Sequence, residues 1–256
     1  MSAQAYGRFM GRFSEPLAPL FADFAGIVGA GVPGHDVARS ALDVGCGPGA
    51  LTQVLVARLG TGSVSAVDPS ESFAQSARDR FPQVDVRLAA AEDLPFVDDS
   101  FDAALAQLVV LFMQDPVLGL REMARVTRPG GTVAACVWGT PQEGSPLAAF
   151  WDAVRESDPG AVSIDLGHGS TEQRLRAYYA EAGLDAADTA PLRLRASFSS
   201  FEDWWEPFTF GVGPAGEHVA SLGPEAVEAL RDRCRSRLSA PPFPVEATAW
   251  AIRARA

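Results

Sequence analysis

Residues Ala41–Thr52 read ALDVGCGPGALT, and this stretch decides the fold. The apolar run Ala41–Val44 predicts a buried strand, the glycines that follow predict a tight turn, and the apolar spacing from Ala50 to Leu59 predicts a helix. Glycines let the chain reverse sharply and let its backbone approach a ligand with no Cβ in the way. The stretch therefore predicts a strand, a turn and a helix that open onto a bound molecule.

The charge beside this turn favours one class of cofactor over another. Gly45, Gly47 and Ala50 satisfy the loose G-x-G-x-x-G/A spacing of dinucleotide enzymes, in which a pyrophosphate lies at the helix N-terminus. Asp43, however, precedes the first glycine at the strand end, where a carboxylate would repel a pyrophosphate and attract an ammonium or sulfonium group. A cationic ligand is favoured, and an NAD(P)-dependent oxidoreductase stays as the alternative.

The motif LDVGCGPG (Leu42–Gly49) resembles the first motif of class I S-adenosylmethionine-dependent methyltransferases, in particular the ubiquinone/menaquinone-biosynthesis type of the methyltransferase type 11 group. Similar segments follow in the same order as far as Trp138. The resemblance implies S-adenosyl-L-methionine as cofactor, held in part by Gly45, Cys46, Gly47 and Gly49. It also implies an α/β fold: a Rossmann-like, seven-stranded, mostly parallel sheet with helices on both faces, ending in an antiparallel hairpin.

Hydrophobic periodicity predicts elements that fit this fold. Further strands are predicted at 64–70, 84–88, 101–106, 132–138, 192–198 and 245–254. Helices are predicted at 70–80, 116–126, 147–156, 171–182 and 224–238. We expect residues 1–37 to form an N-terminal helical cap and 38–256 the methyltransferase domain, with a helical lid inserted at 200–244 because that segment is too long for a hairpin loop.

Further cofactor-binding residues are predicted where strands end. Asp68 ends the second strand within reach of a ribose, and Pro69 and Ser70 follow it; capping the next helix is the alternative role of Asp68. Gln107 and Leu108 lie at the carboxyl end of the fourth strand, where ligands bind in open α/β sheets. By resemblance to the family, the loop at Ala91 and Glu92 recognises the adenine, although this chain has Ala90 where many relatives have an acid.

The N-terminal segment AYGRFMGRFS resembles one found in bacterial members of the family, where helices close over the cofactor. By that resemblance Tyr6 and Arg12 touch the methionine end, with Arg12 holding its carboxylate. An aromatic staple that fixes two short helices to the core is an equal alternative. The helical spacing is expected to break near Pro16.

Composition excludes several function classes. A net charge of −11 disfavours a nucleic-acid partner, and with no lysine the chain has neither a Schiff-base lysine nor a Walker A lysine. No run of about 18 apolar residues predicts a membrane span, and the N-terminus does not resemble a secretory signal, so a cytoplasmic, bacterial protein is expected. Three cysteines without C-x-x-C spacing indicate neither a disulfide framework nor a zinc site, and no metal site is predicted.

The sequence thus predicts methyl transfer to a small-molecule acceptor at O, N or C, in bacterial secondary or quinone-like metabolism, by a monomer or homodimer. If the acceptor is a hydroxyl, a general base helps, and His168 and His218 are the candidates; each is also compatible with an ordinary exposed histidine. A protein that binds S-adenosylmethionine without turnover is the alternative from another functional class.

Overall fold

A computed structural model describes residues 3–28, 38–158, 160, 171–185 and 187–256. Its seven strands are β1 (Ala41–Val44), β2 (Val64–Asp68), β3 (Asp85–Leu88), β4 (Phe101–Gln107), β5 (Thr127–Trp138), β6 (Asp188–Phe198) and β7 (Phe243–Arg255). They form one sheet in the order β3-β2-β1-β4-β5-β7-β6, parallel except for β7, which runs antiparallel to both of its neighbours. The predicted Rossmann-like sheet with its antiparallel final hairpin is confirmed.

Ten α-helices occur in the described part of the chain: α1 (Ala3–Phe9), α2 (Gly11–Phe24), α3 (Ala50–Leu59), α4 (Glu71–Arg80), α5 (Pro116–Val126), α6 (Ala148–Ser157), α7 (Thr171–Ala182), α8 (Phe201–Trp205), α9 (Gly213–Ser221) and α10 (Pro224–Arg237). None of the described helices combines the length and the hydropathy needed to cross a bilayer.

The sheet is buried on both faces. All seven residues of β4 are buried, with Ala103 and Leu105 in the core that includes α2, α3 and α4, and Ala104 and Ala106 in the core that includes α5 and α7. Strands covered on both faces read as unbroken apolar runs, as β4 does. The carboxyl ends of β1, β2 and β4 therefore meet at one edge of a rigid sheet.

The N-terminal segment is helical, but the predicted break near Pro16 is wrong. The chain bends at Met10, between α1 and α2, while Pro16 and Pro19 both lie inside α2. Each proline removes one helical hydrogen bond. The helix continues through them because its other face packs Leu17 and Phe21, both fully buried, against the core.

The fifth strand, β5, begins at Thr127, five residues before the predicted start at 132. Its pairing with β4 jumps from Phe101–Thr127 to Ala103–Thr132, so residues 128–131 form a bulge, and Gly130 has a φ of +78°. The bulge contains Pro129, Gly130 and Gly131, and a glycine with positive φ permits it.

Helices α8, α9 and α10 and a 3₁₀ segment (Glu206–Phe210) fill the long connection between β6 and β7. They share a buried aromatic cluster with the N-terminal helices: the ring centroids of Phe9 and Phe208 lie 4.9 Å apart, and those of Phe13 and Phe198 lie 6.1 Å apart. We call α8, the 3₁₀ segment, α9 and α10 the insertion helices.

Candidate active site

The glycine turn between β1 and α3 has three residues with positive φ: +69° at Gly45, +54° at Gly47 and +91° at Gly49. A Cβ at Gly45 would lie 2.4 Å from Val109 Cγ2, and one at Gly49 would lie 2.4 Å from Phe81 Cε2. A Cβ at Gly47 would meet no described atom within 4 Å. Two of the glycines are thus required by the protein's own packing, and the open space before Gly47 is where a ligand can approach the backbone.

Asp68 holds the turn in place from the end of β2. Its Oδ2 accepts the amide N–H of Gly47 at 2.8 Å, and its Oδ1 accepts that of Ser70 at 2.8 Å. Burial raises the pKa of this carboxyl, and the two backbone hydrogen bonds oppose the rise. The alternative role weighed from sequence, capping of α4, is not the one these bonds perform, because Ser70 precedes the helix, which begins at Glu71. Ribose binding by Asp68, Pro69 and Ser70 stays a prediction.

Asp43 is buried beside the turn, and one of its two carboxylate oxygens has no hydrogen-bond partner. Thr52 Oγ1, on α3, donates to Oδ2 at 2.5 Å, whereas the buried Oδ1 has no hydrogen-bond partner. Burial raises the pKa of Asp43 to about 7; the Thr52 bond opposes this and the nearby Asp68 charge adds to it. An acceptor in this position, without a donor, is prepared for a positively charged or hydrogen-bond-donating ligand.

Two more unpaired polar atoms lie at the end of β4. Gln107 Nε2 donates to the Ser14 carbonyl of α2 at 3.0 Å, which leaves Gln107 Oε1 and the Ser14 hydroxyl buried without partners. Leu108, the next residue, has a φ of +64°, a strained conformation for a side chain of this kind. Strain and unpaired buried groups often mark ligand sites, and here both fall on residues predicted from the position of the strand end.

Cys46 lies in the turn as a buried thiol. Burial, to which the charges of Asp43 and Asp68 add, raises the pKa of Cys46 far above its usual range. A thiol that stays protonated is a poor nucleophile. Its role in the turn is therefore packing.

The loop predicted to bind adenine already makes contacts within the protein. Ala91 is buried, and Glu92 Oε1 accepts the amides of Gln114 at 2.7 Å and Asp115 at 3.1 Å, which orders the chain before α5. The second carboxylate oxygen of Glu92 and the backbone of the loop are the groups that could contact an adenine ring. Adenine recognition by Ala91 and Glu92 stays a prediction.

Of the two N-terminal candidates, the structure directs only Tyr6 toward the site. Burial raises the pKa of the Tyr6 phenol; the Ser14 side chain opposes the rise and the Asp68 charge adds to it. The Tyr6 ring packs edge-on against Phe73 with centroids 5.5 Å apart. Arg12 instead pairs with Asp203 of α8, Nη1 to Oδ2 at 3.0 Å, and lies over the Phe198 ring. Two of the N–H groups of Arg12 are thus engaged by Asp203, and holding of the cofactor carboxylate by Arg12 stays a prediction.

A cavity of about 190 Å³ lies next to the acid-lined turn. Its walls come from the N-terminal segment (Tyr6, Phe9, Met10), the ends of β4 and β5 and the loops after them, α6, and residues 212–215 at the start of α9. Tyr6 and Leu108 are the residues common to the predicted cofactor set and to this wall. Among the described residues that line the cavity, none carries a charge.

Neither predicted histidine is placed in this cavity. His218 packs against the rings of Phe150 and Trp151, with centroids 6.3 Å and 5.9 Å away, and is not among the lining residues. The expectation that it faces the pocket is not met, because α9 turns that side chain toward α6. His168 lies outside the described residues.

Sequence reasoning missed Thr52, Ser14 and most of the cavity wall. Thr52 could have been found, since it falls three residues into the helix that follows the turn and faces back toward β1. Ser14 could not, because nothing local distinguishes a serine on an amphipathic helix from one that packs on a distant strand.

Comparisons with known proteins agree with this geometry. A family model described as methyltransferase domain matches residues 42–135. A demethylmenaquinone methyltransferase of Clavibacter sepedonicus is 37% identical over 187 residues, which cover 70% of this chain and 75% of the relative. A malonyl-[acyl-carrier protein] O-methyltransferase of Erwinia pyrifoliae is 38% identical over 129 residues, covering 50% of this chain and 47% of the relative.

The first curated relatives are spanned only in part: the chain covers 42%, 47% and 23% of their lengths. Among solved structures, a putative methyltransferase from an antibiotic biosynthesis pathway of Anabaena variabilis has a TM-score of 0.60 at 15% identity, covering 94% of this chain and 97% of that one. At that identity the likeness shows the fold. The long alignment with the Clavibacter enzyme shows the family, and this chain belongs to the S-adenosylmethionine-dependent methyltransferases.

Proposed function

We propose that this protein binds S-adenosyl-L-methionine against Asp43, Gly47, Asp68 and Gln107 and transfers its methyl group to a small molecule held in the neighbouring cavity. One observation carries the proposal: an acid-lined pocket with unpaired acceptor oxygens and an uncharged cavity adjoin at the carboxyl edge of one sheet. Open α/β sheets bind their ligands at this edge.

The residues present fit the cofactor. Asp43 Oδ1 and Gln107 Oε1 are buried acceptors without donors, and the cofactor brings ammonium and sulfonium charges and ribose hydroxyls. The space before Gly47 admits the nucleoside beside Asp68, which keeps a free lone pair on each carboxylate oxygen. A pyrophosphate in the same place would meet two carboxylates, so the geometry disfavours the NAD(P) alternative.

The cofactor supplies an electrophilic methyl carbon on a positively charged sulfur. An acceptor atom provides the electron pair of the new bond to that carbon, the pair of the broken sulfur–carbon bond stays on sulfur, and a proton from the acceptor passes to water. The protein's part is alignment and exclusion of water. Tyr6, which touches both regions, and Leu108, held at positive φ, are placed to position the acceptor.

The names of two relatives suggest different acceptors. The Clavibacter relative is named for demethylmenaquinone and aligns over 70% of this chain, whereas the Erwinia relative is named for a malonyl-carrier ester and aligns over 50%. The longer alignment extends past the cofactor half of the domain. It supports a quinone-like acceptor, in bacterial quinone or secondary metabolism.

Calorimetry with S-adenosylhomocysteine and with NAD(H) tests the cofactor. We expect binding of the first and none of the second, and Asp68→Asn to weaken binding of S-adenosylhomocysteine about a hundredfold, by removing charge and a hydrogen-bond acceptor from the nucleoside side. Asp102→Asn is the matched control: Asp102 is a buried acid of the same sheet, but it accepts the amides of Arg39 and Ser40 and pairs with Arg128 at the start of β4.

Heat from NAD(H) alone, or equal effects of the two substitutions on binding, would contradict the proposal. Turnover is tested by incubating the protein with methyl-labelled cofactor and demethylated benzoquinols. Binding of S-adenosylhomocysteine without label in any acceptor, including extract fractions, would favour the non-catalytic alternative.

A further inference from the structure

The cavity next to the cofactor site has a lining that selects its ligand by charge. Four aromatic side chains, Phe9, Phe112, Trp138 and Trp151, form much of its wall, and its polar groups are the uncharged hydroxyls of Tyr6, Thr140 and Ser145. Two of those hydroxyl residues are already engaged: Thr140 caps the turn that follows β5, and Ser145 Oγ accepts the Leu147 amide at 3.3 Å.

Arginines on two of the helices that line this space are paired with acids outside its lining. Arg8 of α1 pairs with Glu206 at 2.7 Å and lies over the Phe210 ring, and Arg155 of α6 pairs with Asp152. Neither residue lines the cavity. A carboxylate or phosphate entering it would lose its water and find no cation, which is the costliest kind of burial.

Size sets a second limit. An apolar cavity of about 150 Å³ in another protein is known to hold benzene. The cavity here is about 190 Å³, enough for a single ring with a few substituent atoms. At its rim Phe112 is 66% exposed, an unusual position for a large aromatic residue of a soluble surface and one suited to contact a longer apolar tail leaving the cavity.

We infer that the methyl acceptor is an uncharged, mainly hydrocarbon molecule whose reacting end is a single ring, and that the cavity rejects carboxylates, phosphate esters and amines. The statement that this molecule accepts a methyl group rests on the proposed function. The selectivity of the cavity can be measured without turnover. It also argues against a free malonyl-type carboxylate as the acceptor.

Three probes of equal size and different charge test it: benzyl alcohol, benzoate and benzylamine at pH 7. Ligand-observed NMR or quenching of Trp138 and Trp151 fluorescence measures their binding, with and without S-adenosylhomocysteine. We expect saturable binding of benzyl alcohol and at least about a hundredfold weaker binding of both ions. Comparable or tighter binding of either ion, or no binding of the alcohol, overturns the inference.

Two variants and one matched control test whether the probes bind in the cavity. The Leu111 variant is expected to gain binding, which a misfolded protein would not do. Ala215→Trp fills the cavity and should abolish binding of benzyl alcohol, while Ala220→Trp, on the exposed side of the same helix α9, should leave it unchanged. Leu111→Arg, at the partly exposed rim, should bring benzoate binding to at least that of the alcohol. If the Ala215 variant still binds the alcohol, or the Leu111 variant gains no benzoate, the cavity is not the site.

Failure of the two proposals can be told apart. Absence of S-adenosylhomocysteine binding contradicts the proposed function, whereas the probe series run without cofactor still decides the selectivity of the cavity. Normal cofactor binding with charge-indifferent probes contradicts the selectivity alone.

Discussion

The two halves of the candidate active site are built on opposite principles. The turn side gathers Asp43, Asp68 and Gln107, buried polar groups with unused hydrogen-bonding capacity. The cavity side gathers aromatic and aliphatic walls without a charge. Burial of polar groups without partners lowers the stability of the first side, whereas apolar burial raises that of the second. Substitutions should therefore have opposite effects on the free energy of unfolding in the two halves.

The largest expected effect concerns the stability cost of Asp43. Its folded-state pKa of about 7 lies above the ordinary value of 3.8 for this group, so the folded state holds the proton more tightly and stability falls as the pH rises from about 4 to 7. Asp43→Asn should therefore raise the free energy of unfolding by up to about 4 kcal/mol at pH 8, and by less at pH 5.

Urea unfolding of the cofactor-free protein at both pH values measures this difference. Asp102→Asn serves as control and should destabilise at both, because its NH₂ group replaces either the oxygen that accepts two backbone amides or the oxygen that pairs with Arg128. A gain for Asp43→Asn that does not change with pH would show that the carboxylate is not strained by burial. Attraction of a charged ligand would then have to be attributed to other groups.

A smaller effect, about tenfold in affinity, should separate the two ends of the cofactor. Gln107 Oε1 and the Ser14 hydroxyl lie unpaired together, on the β4 side of the turn rather than beside Asp68. We expect Ser14→Ala and Gln107→Met to weaken S-adenosylhomocysteine binding but not binding of 5′-methylthioadenosine, which lacks the amino-acid end.

Asp68→Asn is the contrasting variant, since it should weaken both ligands. Titration calorimetry gives the affinity of each of the three variants for each of the two ligands, and the melting temperature of each variant reports any loss of folding. Equal losses for both ligands in the Ser14 and Gln107 variants would mean that these residues support the turn and do not recognise the amino-acid end.

The smallest effect should come from the contacts that join the two halves. Arg8–Glu206 and Arg12–Asp203 connect the N-terminal helices, which supply Tyr6 and Ser14, to the insertion helices. Because these pairs are partly exposed, a double-mutant cycle on Arg12→Ala and Asp203→Ala should give a coupling of only about 0.5 kcal/mol. Hydrogen exchange of residues 3–24 should rise in the variants, and unchanged exchange would show that aromatic packing alone holds these helices.

The two halves also differ in how far sequence reasoning reached. Both acids and the end of β4 could be placed because a parallel strand followed by a glycine turn or a loop puts its last residues at one edge of the sheet. The cavity could not be foreseen, because its wall combines α1, the ends of β4 and β5, α6 and α9, which no periodicity links. His218 illustrates the limit: no helix was predicted at this residue, and the structure places it on α9 with its ring directed toward Phe150.

The sequence by itself determined the order of strands and helices, the reversal at Gly45–Gly49, and the two acids beside it, since these depend on spacing along the chain and on backbone freedom. Only the tertiary structure decided that Gly45 and Gly49 serve internal packing while Gly47 faces open space, and that Arg12 is paired with Asp203. It also decided that the described residues lining the cavity carry no charge. Those features arise where segments far apart in sequence come into contact, and hydrogen bonds left unmade there are visible only when every neighbour is in place.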